Sequence, residues 1–388
     1  MKFIIFMLFA LLLLGCHNGS NKLETDKTTN DAYTYYGMAF AYTDEENYEK
    51  AIEYYQKTIE LKPDFIEARY DMGIAYAAKK DYDKAIEIFQ KIIEEKPDYA
   101  NAYYSLGTIY YNNDNDDKSI ELLQKFIELK PYFAGASNTG EWRCVYPSYI
   151  GRCMIDSMIS CSKHVDFMAD HRHAYDKIGT AYKNKNDYDK MIENFNKFLE
   201  FEADTSGSSR NVYYFLIDGY RRKKDYDNAI EINKKMIELW PNYNYNQLYS
   251  ILGSLYEAKK DYDSAIEAYT KIIELEPSHS MDAYNSIGEI YYLKKDYDNA
   301  MGFYKKAIEF EPESAQYSYL GIGKIYSDKK DYDSAIEAYE KAIELHNNYK
   351  PKCCGCIKGT FAEAYIKMSE AYEAKGDKEK ALEFKKIP

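Results

Sequence analysis

From Ala32 onward the apolar positions recur at three- and four-residue spacing, in paired blocks of helical length separated by a short polar turn. The whole pattern returns about every 35 residues, so the chain reads as an array of like units. Its most regular stretch, Lys-Lys-Asp-Tyr-Asp, stands at 79–83, 223–227, 259–263, 294–298 and 329–333, with Lys-Asn-Asp-Tyr-Asp at 185–189. Before each turn sits a small residue: Ala39, Gly73, Gly107, Gly179, Gly253, Gly288 or Gly323. Three places later comes a tyrosine (Tyr42 through Tyr326), and twelve places later most units carry Ala51, Ala85, Ala265, Ala300 or Ala335. Pro63, Pro97, Pro131, Pro241, Pro277 and Pro312 close the units. Two apolar faces joined by a short turn predict antiparallel helix pairs. Small residues let the two helices approach, and tyrosines such as Tyr256 and Tyr269 fill the space beside them. Asp261 and Asp263 are expected at the start of a second helix, where carboxylates meet its free amides and positive dipole end. Pro277 is expected to stop that helix.

In these positions the sequence resembles the tetratricopeptide repeat, over about four fifths of its length. The resemblance implies an all-α fold, a right-handed superhelix of antiparallel helix pairs. Nine units are expected, starting near residues 32, 66, 100, 172, 210, 246, 281, 316 and 362. They group as 32–131, 172–346 and a truncated unit at 362–388. Residues 132–171 form an irregular stretch bearing Cys and His, either an insertion or a degenerate repeat, and residues 347–361 are a Cys-rich insertion.

The N-terminus departs from the array. Lys2 precedes an unbroken apolar run from Phe3 to Gly15, the pattern of an export signal, too short for a comfortable membrane span. Leu13-Leu14-Gly15-Cys16 resembles the bacterial lipoprotein box, which implies removal of residues 1–15 and lipidation of Cys16. Residues 16–31 hold one large apolar side chain, Leu23, and are expected to form a flexible tether. The implied location is the bacterial cell envelope, lipid-anchored, in the outer membrane if the host has two.

With 51 Lys and Arg against 64 Asp and Glu, the formal net charge of −13 argues against nucleic acid as the main ligand. Nothing in the chain carries an enzyme signature: Gly321-Ile322-Gly323-Lys324 falls on a repeat's first helix, and no cofactor site is expected. The six cysteines beyond Cys16 lie in the irregular stretches: Cys144, Cys153 and Cys161 in one, Cys353, Cys354 and Cys356 in the other. Local disulfides are the first reading in an oxidising compartment. Metal held by Cys153, Cys161, His164, His171 and His173, or by Cys353 with Cys356 in Cys-x-x-Cys spacing, and thiol chemistry at Cys353 and Cys356 are the alternatives.

Most of the 44 tyrosines occupy framework positions. By the family resemblance, the residues facing the concave groove from the first helices include Tyr70, Tyr104, Tyr111, Tyr214, Asp218, Arg221, Arg222, Asn285, Glu289 and Tyr292. Aromatic and arginine side chains are common binding anchors, so Tyr70, Tyr104, Tyr111, Tyr214 and Arg221 are the expected contacts. The expected role is a non-enzymatic scaffold for a protein or peptide partner, held to the membrane by its lipid. A self-associating structural lipoprotein is the alternative.

Overall fold

A computed structural model describes residues 27–130, 171–201, 207–241, 243–275, 277–348 and 362–385. Among the described residues there is no strand. The chain divides into two compact bodies at Lys185. The N-terminal body stacks the hairpins α1 (Lys27–Asp44) with α2 (Tyr48–Leu61), α3 (Ile66–Ala78) with α4 (Tyr82–Glu95), and α5 (Ala100–Asn112) with α6 (Asp116–Leu129), then helix α7 (171–184). The C-terminal body begins with α8 (Tyr188–Glu200). It continues through the pairs α9 (Gly207–Arg222) with α10 (Tyr226–Leu239), α11 (Tyr245–Lys259) with α12 (Tyr262–Leu275) and α13 (Ser280–Leu293) with α14 (Tyr297–Phe310). Two more pairs complete it: α15 (Gln316–Asp328) with α16 (Tyr332–Asn348), and α17 (Ala362–Lys375) with α18 (Lys378–Lys385).

Helix α1 starts five residues earlier than the repeat pattern indicates, so Lys27–Asp31, expected to belong to the flexible tether, are helical. Ala32 is fully buried, and an anchored helix extends backward over polar residues at little cost.

The turn motif divides its labour between two carboxylates. The first caps the second helix: Asp225, Asp296 and Asp331 accept the amides of Asn228, Asn299 and Ser334 at 3.2–3.3 Å. The second reaches the following hairpin. Lys294 binds Asp263 at 2.8 Å, Lys259 binds Asp227 at 2.5 Å, Lys329 binds Asp298 at 3.5 Å, and Lys79 binds Glu49 at 2.8 Å. These pairs are exposed, so each contributes at most about 1 kcal/mol; their value is register, one rung per repeat.

The same rung spans both irregular stretches. Lys185 binds Asp117 at 2.5 Å and Lys375 binds Asp333. Gln124 donates to the Tyr182 hydroxyl at 3.3 Å, and the buried His171 donates Nε2–H to the Lys130 carbonyl while its ring lies 4.9 Å from Phe126. Helix α7 therefore takes the next place in the stack directly on α5 and α6, although residues 131–170 stand between them in sequence.

Between the helices of a pair, the second lysine of the motif is left-handed: φ is 65° at Lys80, 60° at Lys224, 63° at Lys260, 60° at Lys295 and 63° at Lys330. The Asp261 amide can then donate to the Tyr256 carbonyl at 2.9 Å, which closes the first helix. At the equivalent turn of α17 and α18 the residue is Gly376, φ 92°. A left-handed L-residue costs about 1–2 kcal/mol. Glycine gives back about 0.4–1 kcal/mol through a looser unfolded chain. Lys260→Gly is accordingly expected to stabilise by up to about 1 kcal/mol, read as a rise in urea midpoint at constant slope; a fall would show that Lys260 makes a contact worth more than its strain.

Candidate partner-binding face

The first helices of successive hairpins are tied to one another by polar rungs. In the N-terminal body the Tyr36 hydroxyl donates to Asp71 at 2.6 Å, joining α1 to α3, and Tyr70 pairs with Ser105 at 2.9 Å, joining α3 to α5. In the C-terminal body Tyr214 donates to Gln247 at 3.4 Å and Ser318 donates to Asn285 at 2.6 Å. Second-helix tyrosines approach the same layer from behind. Tyr269 donates to Glu257 at 2.6 Å, Tyr304 to Glu289 at 2.8 Å, and Tyr339 shares a 3.1 Å bond with Ser327. Burial pushes the Tyr339 hydroxyl up to about 12; at Tyr269 and Tyr304 burial and then the carboxylate partner push in the same direction. All three phenols therefore stay protonated at neutral pH, and the first-helix face of the C-terminal body is held by groups that are not on it.

The expected contact residues fall on both bodies. Tyr70, Tyr104 and Tyr111 belong to the N-terminal body, Tyr214 and Arg221 to the C-terminal one. Tyr70 is half-buried, its ring 5.6 Å from both Phe89 and Tyr99. Tyr104 is half-buried against Phe126 at 5.1 Å. Both carry framework as well as face. Tyr111 is half-buried beneath the Lys177 ammonium, which stands 5.4 Å from its ring centroid, and burial raises its hydroxyl pKa. Tyr214 packs partly into the core formed by Leu248 and Leu252. Arg221 is exposed and, with Arg222, binds Asp218 at 2.6 and 2.8 Å. Burial opposes ionisation of Asp218, but the two guanidinium hydrogen bonds outweigh it and hold the carboxyl below its usual range. Cys16 and the six disulfide candidates Cys144, Cys153, Cys161, Cys353, Cys354 and Cys356 lie outside the described residues.

Asn285 and Glu289 were expected on the first-helix face, but Phe40, Asp282, Tyr317, Lys324 and Glu363 escaped the sequence reading although the repeat arithmetic would place them. Phe40, 53% exposed on α1, sits seven residues after the first-helix Tyr33. A cavity of about 500 Å³ opens on the first-helix layer of the C-terminal body, lined among others by Asp282, Asn285, Glu289, Tyr317, Lys324 and Glu363. The Lys324 ammonium stands 2.8 Å from Glu363 and 4.0 Å from Glu289. Nearby, burial raises the Glu257 pKa, the Tyr269 hydrogen bond opposes the rise, and the Glu289 charge adds to it.

One hairpin swaps sizes. Where the following hairpin places Gly253 against the Tyr269 ring, α9 and α10 carry buried Ile217 and Asn233, and the fully buried Asn233 side-chain amide has no hydrogen-bond partner among the described residues.

A stack of helical hairpins tied through its first helices is the architecture of a repeat scaffold. Models described as "Tetratricopeptide repeat" match residues 42–101, 76–131, 173–205, 247–279 and 279–348, together more than half of the sequence. The chain belongs to the tetratricopeptide-repeat family. Among solved structures, a crystal structure of MamA is 28% identical, covering 44% of this chain and 90% of its own, at a TM-score of 0.34. BtubC (BKLC) from P. vanneervenii is 18% identical over 51% of this chain and 85% of its own, at 0.42. The C-terminal part of a TPR repeat-containing protein from Cytophaga hutchinsonii is 18% identical over 72% of this chain and 96% of its own, at 0.46. A search of curated proteins returned no match.

Proposed function

We propose that the chain is a non-enzymatic adaptor of the bacterial cell envelope, lipid-anchored at Cys16, that grips a peptide segment or protein partner on the face formed by its first helices. The observation that carries this reading is that in each body the first helices present an exposed apolar side chain, Phe40 in one and Tyr317 in the other, beside polar rungs that tie successive hairpins. A face prepared in this way loses little freedom when a partner binds, which is where repeat scaffolds gain affinity. The signal-like residues 1–15 and the sequence around Cys16 support the anchor.

Photo-crosslinking groups placed at Phe40 and Tyr317, with Leu275 on a second helix as the comparison site, test the binding face in native membranes. One dominant partner linked at the first two sites and absent at the third is the expected result. Links only between copies of this chain would replace the adaptor with a self-associating structural protein. Cys16→Ala is expected to abolish incorporation of labelled fatty acid and to release the protein from the membrane fraction; retention of the label would remove Cys16 as the anchor.

A further inference from the structure

The partner of the C-terminal body can be narrowed by charge. Some first-helix acids are compensated, Asp218 by Arg221 and Arg222 and Glu370 by Lys367, but those around the cavity are not matched one for one. On second helices Glu274 is bound by Lys271 and Glu344 by Lys341, each at 2.7 Å. Around the first-helix cavity, Asp282, Glu289 and Glu363 face a single cation, Lys324, whose side chain is only 16% exposed and already held by two of them. Flanking this cavity, Glu257 and Asp328 accept hydrogen bonds from the Tyr269 and Tyr297 hydroxyls but have no ion-pair partner among the described residues. A concave wall of one sign focuses its field into the space between the helices, where the ions of bulk solvent screen it least. Apolar anchorage is present as well: Tyr317, 42% exposed, lines the cavity, and the first-helix residues Leu293 and Ile366 are exposed.

We propose that the first-helix groove of α11, α13, α15 and α17 binds a protein segment in which lysine or arginine residues are interspersed with apolar ones. Lys324 already occupies part of the groove in the way such a cation would, its ammonium between Glu363 and Glu289. Apolar side chains of the segment cover Tyr317, and its cations meet Asp282, Glu257 and Asp328. The inference rests on the adaptor reading given above and adds the chemistry of the partner.

A fluorescent synthetic peptide of alternating lysine with leucine and tyrosine is the probe, compared with analogues in which serine or glutamate replaces every lysine. Binding to the full mature chain in detergent is followed by polarisation at physiological salt. Two variants separate groove charge from overall charge: Asp282→Asn with Glu289→Gln and Glu363→Gln, and the second-helix set Glu274→Gln with Glu309→Gln and Glu344→Gln. Removing three groove charges is expected to weaken the lysine peptide about tenfold, and removing three second-helix charges to leave it within about twofold. Circular dichroism of both variants confirms that they are folded.

Equal loss in the two variants, or no loss in either, would mean that the peptide senses only the acidity of the chain, and the proposal would be overturned. If the serine or glutamate peptide binds at least as well and loses affinity in the groove variant, the groove binds peptides but the cationic preference is wrong. If no peptide's binding depends on the groove residues, the adaptor reading fails for this body as well.

Discussion

Tyr304→Ala is expected to lower the stability of the C-terminal body by about 3–5 kcal/mol, the cost of deleting a fully packed aromatic ring. The ring is 2% exposed and sits between two backbones. A methyl group built on Gly288 of its own hairpin would stand 2.8 Å from the ring, and Gly321 of the next hairpin approaches it from the other side. Neither glycine has a side chain to swing into the void, so the cavity closes only if α13 and α15 move together. The Tyr304 hydroxyl also leaves Glu289 without its 2.8 Å donor. Tyr304→Phe removes that bond alone and is expected to cost about 1 kcal/mol, so the two variants apportion packing against hydrogen bonding. Urea unfolding followed by circular dichroism measures the totals. Each hairpin packs chiefly on its neighbours, so amide exchange in Tyr304→Ala should accelerate most from α13 to α16 and least in α9 and α10. Uniform acceleration would show that the body unfolds as one unit and that local packing does not set local stability.

The helix pairs were legible because their signals are local and repeated: a small residue, a tyrosine three places on, an aspartate cap and a closing proline. The rungs between hairpins were not. Asp263 looks like a second helix-start carboxylate in sequence, yet its partner is Lys294 in the next turn, a pairing that only the stack creates. The left-handed lysines were hidden for a related reason. A turn that would be read at once with glycine uses Lys80, Lys260 or Lys330, and nothing in a lysine announces positive φ. Helix boundaries near Lys27 failed because polar residues carry no periodicity of their own.

The candidate face was half legible. Repeat arithmetic places a side chain on the correct side of a first helix, but it does not say how deeply a neighbouring ring reaches beneath it. Tyr70 and Tyr104 therefore read as free contacts, whereas Phe89, Tyr99 and Phe126 draw them partly into the core. The acidic character of the C-terminal groove was hidden differently. Asp282 and Glu289 share helix α13 while Glu363 belongs to a unit two further on, and they meet only when the first helices line up. Ile217 and Asn233 mark the opposite case. Their departure from the pattern stands in the sequence as a missing glycine and a missing aromatic within a single hairpin, and both replacements are buried.

Two glycine substitutions of identical chemistry are expected to move stability in opposite directions. Glycine within a helix is about 1 kcal/mol less favourable than alanine, so Gly→Ala gains wherever the methyl group has room. Gly302 on α14 has no atom within 4 Å of a built Cβ, and Gly302→Ala should stabilise by about 0.5–1 kcal/mol. At Gly253 on α11 the same methyl group would stand 2.5 Å from Cζ of Tyr269 and 2.6 Å from Cε1. The ring cannot step aside, because its hydroxyl is held by Glu257 at 2.6 Å and it is 5% exposed in the core formed with Ala265 and Ile287. Overpacking of this kind costs about 1–3 kcal/mol, more than the propensity gain, and Gly253→Ala should come out destabilised by about 1–2 kcal/mol. Smoothing Tyr269 to leucine in the same chain should relieve much of that loss, since the two sites are in direct contact and their effects do not add. A gain at both glycines would mean that α11 and α12 can separate freely, and that the small residue at the crossing is not what sets the spacing of each helix pair.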